Sequence, residues 1–226
     1  MKQLTALLLL LLGSVPVVAQ SFSAGLSPRL MAPIVTDATI GQGWGAAVWS
    51  RIELDDGKGL ALQLGWQEIR GYNSAVEILD TRVLPEGSIS WLEETARLKR
   101  LQMWLIDLSF GQQAWNENSP LTLEAGMRYS FGVTGTGNYQ FRNIYSIGGA
   151  TTVSRRGLGE EVLRGHDLGI RIAGYYKLQE RLSLEAEAYQ GFLNQWESFE
   201  GFAGPTTYVT TFSIGLALRL YQTKSL

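Results

Sequence analysis

Tyr208 to Tyr221 read YVTTFSIGLALRLY and alternate without interruption. Tyr208, Thr210, Phe212, Ile214, Leu216, Leu218 and Leu220 share one face. Val209, Thr211, Ser213, Gly215, Ala217, Arg219 and Tyr221 share the other. A period of two is that of a β-strand. At about 3.3 Å per residue the run spans roughly 45 Å, more than a globular sheet usually requires. One face is a continuous apolar band; the other is small or polar and carries an Arg. A strand has this pattern when lipid lies outside a closed barrel and a crowded polar lumen lies inside.

Working back from this strand, seven more segments read the same way. They cover residues 21–30, 41–54, 59–69, 98–110, 121–131, 167–178 and 181–192. The first is the weakest, with Pro28 near its upper end. In the second, Trp44, Ala46 and Val48 oppose Gly45, Ala47, Arg51 and Glu53. In the third, Leu60, Leu62, Leu64 and Trp66 oppose Ala61, Gln63 and Gly65. In the fourth, Trp104, Ile106, Leu108 and Phe110 point outward, opposite Met103, Leu105, Asp107 and Ser109. In the fifth, Leu123, Ala125, Met127, Tyr129 and Phe131 oppose Glu124, Gly126, Arg128 and Ser130. In the sixth, Leu168, Ile170, Ile172 and Tyr176 oppose Asp167, Arg171, Ala173, Tyr175 and Lys177. In the seventh, Leu182, Leu184 and Ala186 oppose Ser183, Glu185, Glu187 and Tyr189.

Connections alternate short and long. The Asp-Gly turn at 55–58, the loop 111–120 and the pair Gln179-Glu180 are short. Residues 31–40, 70–97, 132–166 and 193–207 form the long ones. The expected fold is therefore all-β: an eight-stranded antiparallel transmembrane β-barrel, an up-and-down meander with short periplasmic turns and long extracellular loops.

Residues 1–19 read as a secretory signal peptide: Lys2, an apolar run from Ala6 to Leu12, breakers, and small residues ending at Ala19. The apolar run is too short for a membrane helix, which needs about 20 residues. Residues 20–226 are expected to form one barrel domain in the cell outer membrane. The chain has no Cys, which excludes disulfides, thiolate zinc sites and cysteine nucleophiles. A net charge of −2 argues against nucleic acid as a partner. Twenty-six Gly, seven Trp and nine Tyr suit a barrel with aromatic girdles. A soluble lipocalin-like barrel also alternates. However, its outer polar face would carry long charged side chains, whereas the polar face here is rich in Gly, Ala and Ser.

Several segments carry a family likeness. LALQLGWQEIRGYN (60–73), RLKRLQMWLIDLSF (97–110), LTLEAGMRYSFG (121–132), DLGIRIAGYYKLQERLSLEAEAYQGFLN (167–194) and TTFSIGLALRLY (210–221) resemble strands of the PorT-like outer-membrane β-barrel family of Bacteroidota. The resemblance implies an eight-stranded outer-membrane barrel of the porin-like kind. For some members it also implies a place in a protein-secretion and gliding apparatus.

Three groups of residues are candidate sites. Inward positions collect Arg51, Arg128, Arg171, Lys177 and Arg219 with Glu53, Asp107, Glu124, Asp167, Glu185 and Glu187. An eight-stranded barrel is only wide enough for side chains to fill, so these charges are expected to interlock as a plug; a narrow gated path is the alternative. Trp44, Trp66, Phe110, Tyr129, Phe131, Tyr176, Phe192 and Tyr208 recur near strand ends, where rings prefer membrane interfaces. Tyr139, Phe141, Tyr145, Arg155 and Arg156 in 132–166 are candidates for binding a partner, a glycan or lipid phosphates. His166, the single histidine, stands beside Asp167, with Ser154 in the same connection. Base-assisted chemistry would need a nucleophile held next to it. The stretch SWLEETARLKR (90–100) spaces Trp91, Leu92, Ala96 and Leu98 as a short helix would, or extends a strand. GVTGTGN (132–138) lacks the Lys and the helix of a phosphate loop, and no cofactor or metal is expected.

The leading functional expectation is a non-enzymatic outer-membrane barrel whose lumen is filled and whose outer loops bind a partner. The alternatives are a narrow channel and a rim enzyme acting on lipid or peptide.

Overall fold

A computed structural model describes residues 21–35, 41–54, 57–70, 75–83, 89–115, 119–145, 149–158, 164–193 and 208–223; within these, the side chains of 34–35, 75–98, 138–139, 141–145 and 149–158 lie outside the description. The expected signal peptide falls outside the described residues.

Among the described residues there are ten strands: β1 (Ser21–Val35), β2 (Gln42–Glu53), β3 (Lys58–Arg70), β4 (Ala75–Val83), β5 (Ile89–Gln113), β6 (Leu121–Tyr145), β7 (Gly149–Leu158), β8 (His166–Gln179), β9 (Leu182–Gly191) and β10 (Val209–Gln222). Eight of them close a barrel. β1, β2, β3, β5, β6, β8, β9 and β10 pair antiparallel in that order, and β10 returns to β1. Closure satisfies every barrel ladder and leaves no barrel edge. β1 is longer than the sequence suggests. Pro28 lies inside it, where the ladder to β10 passes from Leu26↔Leu218 directly to Arg29↔Gly215.

The lower end carries the short turns and both described ends of the chain. Gly57, with φ +67°, turns β2 into β3. Glu180-Arg181 joins β8 to β9, one residue later than the sequence suggests. The Thr223 amide donates to the Phe22 carbonyl at 2.8 Å.

At the upper end the structure departs from expectation. Residues 70–97 and 132–166 are not mainly loop, and 90–100 is not helical. β5 and β6 each run 25 residues and stay paired beyond the barrel wall, from Leu98↔Gly137 to Ser90↔Tyr145. β4 pairs on the far side of β5 and β7 on the far side of β6. The result is a four-stranded antiparallel sheet, β4-β5-β6-β7, continuous with the barrel. Helical spacing over 90–100 loses because both of β5's ladders are filled there, so pairing satisfies the backbone on two sides.

Two offsetting irregularities mark where wall becomes sheet. Between Trp104↔Phe131 and Gln102↔Thr134, β6 spends an extra residue at Gly132, whose φ is +59°. Between Gln102 and Leu98, β5 spends one in return. A bulge with Gly in the left-handed region bends the strand and switches which residues face inward. Below Gly132 the even-numbered Arg128 and Ser130 are buried; above it the odd-numbered Val133 is.

The barrel is apolar outside and polar inside. Leu30, Leu108 and Ile214 are at least 60% exposed, while Arg128, Arg171, Asp107 and Glu185 are at most 1% exposed.

Candidate functional site

The lumen's middle is one ion-pair network. Asp107 and Arg128 are cross-strand partners on β5 and β6. Period-two alternation turns both inward, so they meet as a fork: Nε to Oδ1 and Nη2 to Oδ2, each 2.7 Å. Glu187 on β9 joins three guanidinium groups, those of Arg29 at 2.8 Å, Arg128 at 2.8 Å and Arg171 at 2.5 Å. Arg171 also reaches Glu124 and Glu185 at 3.2 Å each and Asp107 at 3.3 Å. Arg29 meets Glu185 at 3.2 Å, and Ser27 donates to the same carboxylate. Arg51 pairs with Glu124 and lies 5.2 Å over the Tyr175 ring; Arg128 lies 5.0 Å over Tyr189.

Four arginines therefore face four carboxylates: Arg29, Arg51, Arg128 and Arg171 against Asp107, Glu124, Glu185 and Glu187. Neutrality is what makes the burial tolerable, because an uncompensated charge in such a core is strongly destabilising. Tyr175 receives a hydrogen bond from Arg171 at 2.6 Å and donates to Glu185 at 3.1 Å. Ser109 donates to Glu124 at 3.1 Å.

The membership differs from the sequence inventory. Lys177 lies on an exposed part of β8 at the lower end. Arg219 is half-buried and donates to Gln222 rather than to the core. Glu53 accepts from Ser21 at the lower rim. Asp167 is fully buried but accepts from the Tyr189 hydroxyl at 2.8 Å and the amides of Leu168 and Leu193 at 2.8 and 3.1 Å. Tyr175 and Tyr189 face inward as their strand faces predict and join this region as uncharged partners. Arg29 is not among the expected inward charges. Arg29 was legible in principle, since it continues the odd-numbered row Ser21, Ser23, Ser27; Pro28 obscured that row.

Above the network the lumen mixes apolar groups with buried polar ones: Gln67, Ser130, Asp167 and Thr211 are at most 2% exposed. At the upper end Ile69, Leu101, Met103 and Val209 are at most 1% exposed, and Met31 and Val133 are buried as well.

The aromatic candidates fall on the outer wall in two tiers. Trp44, Trp66, Tyr129, Phe131, Phe192 and Tyr208 stand at the upper end; Phe110 and Tyr176 stand at the lower. Trp44 and Trp66 meet edge to face at 4.8 Å, and Tyr129 stacks on Phe131 at 6.1 Å. His166 is exposed in the upper tier, its ring 6.2 Å from that of Tyr129. Ser154 pairs with Gln140 in the upper sheet; its side chain lies outside the described residues. So do those of Tyr139, Phe141, Tyr145, Arg155 and Arg156, whose backbones belong to β6 and β7.

A second polar group, also missed, stands on the outer wall just above Trp66 and Trp104. Glu68 is 2% exposed and accepts from Gln102 at 2.7 Å, from Arg70, and from Arg100 at 2.9 Å. Arg70 and Arg100 are cross-strand partners, and both present guanidinium groups outward.

No family profile matches the chain, and no curated protein sequence matches it. Solved structures of similar fold include Neisserial surface protein A, 10% identical over 89% of this chain and 97% of that one, with a TM-score of 0.44. The outer membrane protein OprG of Pseudomonas aeruginosa is 9% identical over 92% and 98%, with a TM-score of 0.43. A major outer membrane protein of Thermus thermophilus is 14% identical over 88% and 100%, also at 0.43. At such identity the likeness is one of fold alone.

Proposed function

We propose that this protein is exported by its N-terminal signal peptide, inserts into the outer membrane as a filled, non-conducting barrel, and acts by presenting the sheet β4-β5-β6-β7 to a protein partner outside. The carrying observation is that sheet. β5 and β6 continue beyond the wall with two added strands, and β4 and β7 each pair on one side only among the described residues. A free strand edge accepts another extended segment through main-chain hydrogen bonds.

Membrane residence is supported by the outer wall. Its large apolar side chains are exposed between two aromatic tiers. From His166 to Tyr176 along β8 is roughly 33 Å at 3.3 Å per residue, or about 25 Å in height at a tilt of about 40°. That equals the apolar band of an outer-membrane barrel. The Arg70–Glu68–Arg100 group falls just above the upper tier, at headgroup level, where charge on the outer wall costs little. The buried side chains at the upper end of the lumen and the neutral ion-pair core favour a filled barrel over a channel. His166 faces outward beside Tyr129, which supports a role at the membrane interface rather than as a base. The resemblance to the PorT-like family supports a partner within a secretion apparatus.

The test is cross-linking from the upper sheet in intact cells. A photoreactive residue at Ser90 or Thr151 is expected to capture a defined protein, and deletion of 75–96 together with 139–158 should abolish capture while the barrel remains heat-modifiable. Conductance above the lipid baseline in planar bilayers, or recovery in the soluble periplasm, would overturn the reading.

A further inference from the structure

The lower half of the lumen contains a cup that the ion-pair network closes from above. Its empty space, open mouth included, is about 540 Å³. Its lining includes Trp49, Arg51, Gln63, Glu124, Arg171 and Tyr175, with Arg181 and Arg219 at the lower end.

Three facts define what fits there. First, Gln63 is 4% exposed and lines the cup, yet neither its Nε2 nor its Oε1 has a protein partner; the same is true of the Trp49 indole N–H. Buried polar groups are ordinarily partnered. Second, Arg51 and Arg171 are matched by carboxylates of the core. Arg181 and Arg219 are not: among the described residues Arg219 donates only to Gln222, and no carboxylate lies within ion-pair distance of either. Among the described lining residues, these two guanidinium groups are the ones without a carboxylate partner. Third, the indole nitrogen only donates, and a guanidinium only donates. Glu124 and the hydroxyls of Ser23, Ser109 and Ser183 also line the cup, but Glu124 is already held by Arg51, Arg171 and Ser109. The lining charge left without a carboxylate is positive, so a ligand that complements it is negatively charged and offers acceptors to the indole and the Gln63 amide.

We infer that the cup is a dead-end binding site for a small phosphate-type oxyanion entering from the lower mouth. Arg181 and Arg219 attract it, and Trp49 Nε1 and Gln63 Nε2 donate to its oxygens. Hydrogen phosphate carries one O–H at neutral pH, which Gln63 Oε1 accepts. Arginine suits this chemistry because its fork matches phosphate oxygens. The inference depends on the closed barrel alone, so it survives or fails independently of the partner sheet and of membrane residence.

The experiment uses the folded full-length mature chain in detergent micelles, with indole nitrogens labelled with ¹⁵N. The Trp49 resonance is assigned from its loss in Trp49→Phe. Inorganic phosphate is titrated against chloride at matched ionic strength. The expected result is a saturable displacement of the Trp49 indole resonance by phosphate and none by chloride. Arg181→Gln with Arg219→Gln should weaken binding by about tenfold or more, since two unscreened charges near the ligand are lost. Gln63→Leu, which leaves both rim arginines in place, should weaken it too. Heat modifiability establishes that each variant is folded. A linear, unsaturable displacement, an equal response to chloride, or unchanged affinity in the folded double variant would overturn the proposal.

Discussion

Glu187 holds three guanidinium groups at once, and its removal tests whether the lumen charges act as a unit. Glu187→Gln keeps the shape and leaves Arg29, Arg128 and Arg171 with one surplus charge in a buried core. Breaking a buried pair by removing one partner costs about 3–5 kcal/mol. The urea midpoint of the barrel in lipid vesicles should fall accordingly. Glu187→Gln combined with Arg29→Gln restores neutrality, and part of the loss should return. A double variant as unstable as the sum of the singles would refute coupling, because interacting sites depart from additivity. Tyr189→Phe tests the other buried acid. It removes the hydroxyl that donates to Asp167 and should cost about 1–3 kcal/mol, read in the same unfolding assay.

At the scale of elements, the junction between wall and sheet depends on Gly132. Its φ of +59° is left-handed, with the Trp104 ring 3.6 Å from where a Cβ would lie. Space is ample, so conformation alone decides the outcome. Gly132→Val should cost about 1–3 kcal/mol, the range for a strained backbone residue, whereas Gly132→Asn should cost less because Asn tolerates this region. Gly169 is limited differently. A Cβ there would lie 2.1 Å from the Gln190 carbonyl and 2.6 Å from the Tyr189 ring. Gly169→Ala therefore has to move backbone or ring. A loss of about 1–3 kcal/mol is expected from overpacking, with the Tyr189–Asp167 hydrogen bond perturbed in the spectrum of the hydroxyl.

For the whole molecule, closure predicts resistance. Every barrel strand pairs on both sides, so opening the barrel breaks two ladders at once. Unheated protein should run faster on SDS gels than boiled protein. The upper sheet has no such closure, and limited protease should remove it first, leaving a protected fragment comprising the barrel. Cleavage within the barrel strands at equal rate would contradict a wall that is stable independently of the sheet.

The barrel itself was legible in the residues. Uninterrupted alternation in β10, with β2, β3 and β9 behind it, requires strands with one apolar face. Short turns at alternate connections then dictate a meander. Alternation also turned Asp107, Glu124, Arg128, Arg171, Glu185 and Glu187 inward, because side-chain direction follows the pleat residue by residue. What the sequence by itself determined was therefore local: strand, face and turn. Which charges meet was decided only by the closed fold, since register sets Arg29 of β1 and Glu185 of β9 on either side of Gly215 of β10, so that Arg29 reaches Glu185 and Glu187, more than 150 residues apart in the chain. The same holds for the sheet above the wall. Residues 90–100 carry no decisive periodicity, and they are strand because β4 and β6 offer hydrogen-bonding edges on both sides. Long-range pairing, which no local pattern encodes, decides both.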